Sequence, residues 1–78
     1  MKEIFRANVA SRLRELRANK QFTLIELSNI TGISKDILSR YENNKVSIQV
    51  DVLAQILTAY NINLANFFEE ILAKTQNK

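Results

Sequence analysis

Cysteine, histidine and proline are absent from this chain of 78 residues, and glycine occurs once. Without cysteine there is no disulfide staple and no thiolate metal site. Without histidine, the commonest metal ligand and the commonest general base are both missing. A lone glycine cannot build a glycine-rich phosphate loop, and no spaced carboxylate cluster offers a metal site. Glu69 and Glu70 are neighbours on a helical stretch, so their carboxylates diverge and cannot act as a catalytic pair. These absences argue against an enzyme and call for no cofactor. Long apolar runs are missing too. The opening "MKEIFRANVASRLRELR" is broken by charges, so it is neither a signal peptide nor a membrane span. The expectation is a soluble, cytoplasmic protein with no membrane partner.

Apolar residues make up 46%, too many for a disordered tail, and the length suits one small domain over residues 1–78. A chain this short without staples needs a very regular core or a partner subunit. The net charge of +3 is unevenly spread. Residues 1–45 carry nine Lys/Arg against five Asp/Glu, and residues 46–78 carry two against three. The basic front half hints at a polyanion, although a solvated basic face is common in ordinary domains.

With no proline and one glycine, helices must be marked by caps and periodicity. An apolar residue, a polar cap and an apolar residue four after the cap recur at Phe22-Thr23-Leu27, Ile33-Ser34-Leu38, Ile48-Gln49-Leu53 and Ile62-Asn63-Phe67. This is the hydrophobic staple. Thr23 with Glu26 adds a capping box, whereas Gln49 is a poor cap. The expected helices run over about 3–19, 24–31, 35–43, 50–60 and 64–75. No stretch alternates with the period of a strand, so the fold class is all-α.

The single glycine now has a place. In "NITGIS", only Gly32-Ile33-Ser34 separate the second and third expected helices. A helix that stops and turns sharply takes a left-handed residue at its end, and glycine does so without a Cβ penalty. Two short helices joined this way make a helix-turn-helix, or more plainly an αα corner. The third helix, "SKDILSRYENNK", turns Leu38 and Tyr41 inward and Ser34, Lys35, Asp36, Ser39, Arg40 and Asn43 outward. Such a face suits the DNA major groove. Lys35 and Arg40 can donate to guanine, and Asp36 can accept from cytosine. The plainer alternatives are surface charges, and for Asp36 a partner of the helix dipole.

Residues 9–68 resemble the lambda-repressor-like, Cro/repressor-type (XRE) helix-turn-helix family. The resemblance rests on "RLRELR" in the first helix, T-x-x-E-L-S opening the second, the "TGIS" turn, "LSRYENNK" and "INLANFF". It implies a five-helix fold and a transcriptional regulator that binds double-stranded DNA as a homodimer. Base contacts then fall to Lys35, Asp36, Ser39 and Arg40. Phosphate contacts fall to Thr23, Ser34, Asn43, Asn44, Lys45 and Ser47, some of them at helix N-termini, where free amides favour anions. Arg17 and Glu42 match a structural ion pair of the family, and Ser28 the small residue that lets the third helix approach the second. There are departures. Leu24 stands where a glutamine is common, Ile37 where a small polar residue is frequent, and Gln21 where a glycine often ends the first helix.

The fifth helix carries Leu64, Phe67, Phe68, Ile71 and Leu72 on one stripe. These side chains can cover an N-terminal extension through Ile4 and Phe5, or form a two-fold interface. The dimer is the favoured reading, with Phe67, Phe68, Ile71 and Leu72 at the interface and about 64–78 as its element. The expectation is a dimeric regulator of a palindromic operator, similar to phage repressors or restriction–modification controllers, with no small-molecule ligand. The rival is a protein-interaction module of the same fold, an antitoxin or co-regulator, working through the fifth helix or the Leu24, Ile25 and Ile37 surface.

Overall fold

The computed structural model describes residues 2–76. They form five α-helices: α1 (Lys2–Lys20), α2 (Leu24–Thr31), α3 (Lys35–Glu42), α4 (Val50–Ala59) and α5 (Leu64–Gln76). No strand occurs among the described residues. The all-α, five-helix fold is the expected one, and each helix boundary lies within a residue of its expected place. The first residue and the last two, which belong to the 1–78 domain and the 64–78 element, lie outside the described residues.

The caps explain the starts. Thr23 Oγ1 accepts from the Glu26 amide at 3.0 Å, and the Glu26 carboxylate accepts from the Thr23 amide at 2.8 Å. Ser34 Oγ accepts from the Ile37 amide, and Asn63 Oδ1 from the Ala65 amide. Gln49 makes no side-chain cap bond, so α4 starts on its staple, with the Asp51 carboxylate accepting from the Val52 amide in the first turn. The ends use left-handed residues: Gln21, Gly32, Asn44 and Asn61 all have positive φ. At Gln21, Asn44 and Asn61, the amide of the next residue reaches back five residues to a helix carbonyl, closing the end.

One core lies among all five helices. Leu13 and Leu16 from α1, Leu27 from α2, Leu38 from α3, Leu53, Ile56 and Leu57 from α4, and Phe67 and Ile71 from α5 fill it. Fully burying one such side chain contributes about 2 kcal/mol. The α5 expectation needs correction. Phe67 and Ile71 are each 1% exposed inside the chain's own core, so neither is available to a partner. The reason is the long α1, which lies against α5 along its whole outer stretch. Phe5 stacks on Phe68 with ring centroids 6.0 Å apart. Asn8 Nδ2 donates to Thr75 Oγ1 at 2.9 Å, and Arg12 Nε to Glu70 at 2.9 Å. Of the four assigned interface residues, Phe68 is half-buried and only Leu72, at 47%, faces solvent.

Candidate nucleic-acid interface

The turn between α2 and α3 is built by hydrogen bonds that involve every residue of "TGIS". Thr31 is buried. Its hydroxyl donates to the Leu27 carbonyl at 2.8 Å and accepts from the Ile33 amide at 3.2 Å. Gly32, at φ +78°, donates its amide to the Ser28 carbonyl at 2.8 Å. A Cβ added to Gly32 would meet nothing within 4 Å, so the glycine is there for its backbone conformation and not for space. Ile33 packs on the core and Ser34 caps α3. Gln55 Nε2 of α4 donates to the Thr31 carbonyl at 2.6 Å, which fixes the end of α2 from behind. Nothing in the sequence signals this contact, because Gln55 reads as an ordinary surface residue of α4.

That scaffold aims α3. Leu38 is buried and Tyr41 half-buried, which anchors the inward side. Lys35, Asp36 and Arg40 are exposed together on the outward side, with Ser34 and Asn43 at its two ends. Ser39 is half-buried, and its hydroxyl oxygen accepts from Asn43 Nδ2 at 3.3 Å. Asn43 Nδ2 also donates to the Ser39 carbonyl at 2.9 Å, so this amide is occupied in closing the helix. Ile37 remains exposed on α3, and Ile25 and Ile30 on α2, whereas Leu24 packs against the core.

The residues assigned to phosphate flank the face. Thr23 and Ser34 spend their oxygens as helix-cap acceptors, which leaves each hydroxyl proton free to donate. At Thr23 the Glu26 carboxylate already occupies the helix N-terminus, and its charge opposes a phosphate there. Asn44, Lys45 and Ser47 are exposed in the loop after α3. The left-handed Asn44 turns the chain, and the Lys45 amide bonds the Arg40 carbonyl at 2.9 Å.

Arg17 and Glu42 belong to the scaffold and not to the groove face. Arg17 Nε donates to both Glu42 oxygens, at 2.8 and 3.1 Å, and its Nη1 donates to the Phe22 carbonyl at 2.9 Å. Glu42 is 5% exposed. Its hydrogen bond holds the Arg17 guanidinium above the usual arginine range, with burial acting the other way. Arg14, which the sequence left unassigned, donates Nη1 to the Glu42 carbonyl at 3.1 Å, so two arginines of "RLRELR" grip the end of α3. The i, i+3 spacing of Arg14 and Arg17 was the available signal. Tyr60 is buried nearby, and its hydroxyl has no hydrogen-bond partner. Burial, then repulsion from Glu42, pushes its phenol up to about 12.

What the arrangement offers is binding. No group of three His, Cys, Asp or Glu side chains that could hold a metal occurs among the described residues. No helix of these residues is long and apolar enough to cross a membrane.

Comparison with known proteins gives a consistent picture. The family described as Helix-turn-helix matches residues 13–67. Antitoxin PezA of Streptococcus pneumoniae serotype 4 is 29% identical over 62 residues, which is 80% of this chain. The chain spans only 39% of the length of that relative. The crystal structure of the clp gene regulator ClgR from Corynebacterium glutamicum superposes with a TM-score of 0.81 at 26% identity. That match covers 92% of this chain and 77% of the other.

Proposed function

Because this chain belongs to the helix-turn-helix family, as an XRE, Cro/repressor-type DNA-binding domain, we propose that it is a sequence-specific transcriptional regulator that binds a palindromic operator as a homodimer. The observation that carries the reading is the exposed α3 face. Lys35, Asp36 and Arg40 stand clear of the core on a helix whose end two arginines hold from behind, after a turn that Gln55 fixes at the end of α2. In this reading α3 enters the major groove. Lys35 and Arg40 donate to base edges, Asp36 accepts from an amino group, and the Ser39 hydroxyl adds a contact. Ser34, Asn44, Lys45 and Ser47 clamp the backbone on either side, whereas the Glu26 carboxylate disfavours a phosphate at Thr23 and the Asn43 amide is spent on the end of α3. Two copies related by a two-fold axis place two such helices about one DNA turn apart, ~34 Å. With Phe67 and Ile71 taken by the core, the dimer contact falls to Leu72 and the open edge of Phe68. The family regulates by binding and carries out no catalysis.

The test is a titration of duplex DNA across a range of salt concentrations. Lys45→Ala weakens all sequences alike and lowers the salt slope by about one unit, while Arg40→Ala relaxes preference at one base pair. Unchanged affinity in both variants contradicts the reading.

A second reading has one observation of its own. Ile25, Ile30 and Ile37 are exposed on α2 and α3, and one relative is named as an antitoxin. An apolar surface there suits a protein partner, in which case specific DNA binding is weak.

A further inference from the structure

A cavity of about 250 Å³ opens between the N-terminal half of α1, the loop of residues 43–49 and the start of α4. Its walls are mostly apolar, with Phe5 and Val9 from α1, Tyr41 from α3, Val46 from the loop, Leu53 from α4 and Phe68 from α5. Arg6 also lines it and is the only charged one among the described residues that do, so none of their carboxylates stands in its walls. The Arg6 Nε is out of solvent and has no hydrogen-bond acceptor. Among the described residues the ion pairs are Arg12 with Glu15 and Glu70, and Arg17 with Glu42, so no carboxylate partners Arg6. The residue as a whole is half-buried in the cavity wall, and an anion entering the cavity gains a charge-assisted bond to its guanidinium. Small-molecule sites have this character: concave, mainly apolar, with a few polar groups that fix orientation.

We propose that this cavity binds a small apolar carboxylate, an alkyl acid of medium chain length. Its hydrocarbon lies against Phe5, Val9, Tyr41 and Phe68, and its carboxylate pairs with the Arg6 guanidinium. The volume is a little below the range of drug-sized sites, about 300–1,000 Å³, which suits such an acid. A DNA phosphodiester would satisfy Arg6 but has no apolar part to fill the walls. Asn44 and Ser47 line the same cavity, and Tyr41 belongs to α3. An occupant therefore bears on the loop assigned to phosphate, and this coupling rests on the DNA reading above. A cavity within the DNA-binding fold needs no further domain to take a ligand, which departs from the expectation of no small-molecule ligand.

The test titrates sodium octanoate against the full chain in the absence of DNA, followed by tyrosine fluorescence and by amide shifts in NMR. Octanol is the uncharged control. Octanoate is expected to bind saturably at sub-millimolar concentration, and octanol roughly tenfold more weakly. Arg6→Gln is expected to erase that difference. Val50→Trp, at an exposed position of the cavity wall, is expected to block both compounds, with the helical circular dichroism unchanged. The absence of saturable octanoate binding to the folded chain overturns the proposal, and so does octanol binding as tightly as octanoate. If Arg6→Gln lowers DNA affinity and leaves octanoate binding untouched, the guanidinium belongs to a phosphate and the proposal fails. If Val50→Trp splits a dimer in sedimentation while octanoate does not bind, the cavity belongs to a second copy, and it fails likewise. All binding to octanoate is measured without DNA, so failure of the DNA reading leaves this outcome distinguishable.

Discussion

Gln21 ends α1 at φ +60°, a left-handed conformation that costs an L-residue with an ordinary side chain about 1–2 kcal/mol. Asn44 and Asn61 hold the same conformation at the ends of α3 and α4, and asparagine tolerates it better. Glycine at position 21 removes the penalty but is more flexible when unfolded, so Gln21→Gly is expected to stabilise by about 0.5–1 kcal/mol in urea unfolding. Tyr60 makes a second expectation at this scale. Its phenol rises from 10.0 to about 12 in the folded chain, first through burial and then through Glu42. The neutral form is thus favoured on folding. Its contribution to stability is whole below about pH 10 and is lost as pH climbs through about 12. Tyr60→Phe is expected to remove that alkaline loss, on the order of 2 kcal/mol, relative to the parent chain. At neutral pH it costs little, because the hydroxyl it deletes has no partner. Denaturant midpoints of both chains from pH 8 to pH 12 check this.

At the scale of elements, the Arg17–Glu42 pair joins α1 to α3, with Arg14 beside it. Glu42→Ala leaves a poorly solvated guanidinium with only the Phe22 carbonyl, and is expected to cost about 3 kcal/mol. The double variant Arg17→Ala/Glu42→Ala is expected to lose less than the sum of the two single losses, measured by urea unfolding. The sequence disclosed the elements well, because the starts of α2, α3 and α5 each carry a cap and a staple within a few residues, and that of α4 a staple. Ser34 and the Thr23–Glu26 box are local chemistry, and Gly32 marks the turn by its backbone alone. What it could not disclose is which surface covers which. The α5 stripe is apolar whether α1 or a second copy lies on it. The periodicity of Phe67 and Ile71 is the same in both cases, and only the position of Phe5 and Asn8 decides. Gln55 was illegible for the same reason: its partner is a main-chain carbonyl far along the chain, and a carbonyl leaves no mark in a sequence, while the i, i+3 spacing of Arg14 from Arg17 marked their shared face but not the carbonyl that Arg14 meets. The outward face of α3 was legible because Leu38 and Tyr41 fix its rotation, which puts Lys35, Asp36 and Arg40 outside.

At the scale of the whole molecule, the charge asymmetry and the fold point the same way. The basic half of the chain contains α1, the helix-turn-helix and Lys45, and the nearly neutral half supplies α4 and α5 for the core. The exposed cations of the first half, Lys35, Arg40 and Lys45 among them, favour a polyanion. The central claim is that this molecule reads a two-fold DNA sequence through α3. Selection of bound duplexes from a random DNA library at near-physiological salt, followed by sequencing, tests it most directly. The expected result is an enriched palindrome with half-sites about one turn apart and bases that suit Lys35, Ser39 and Arg40. Weak, salt-sensitive binding with no enriched sequence would contradict it.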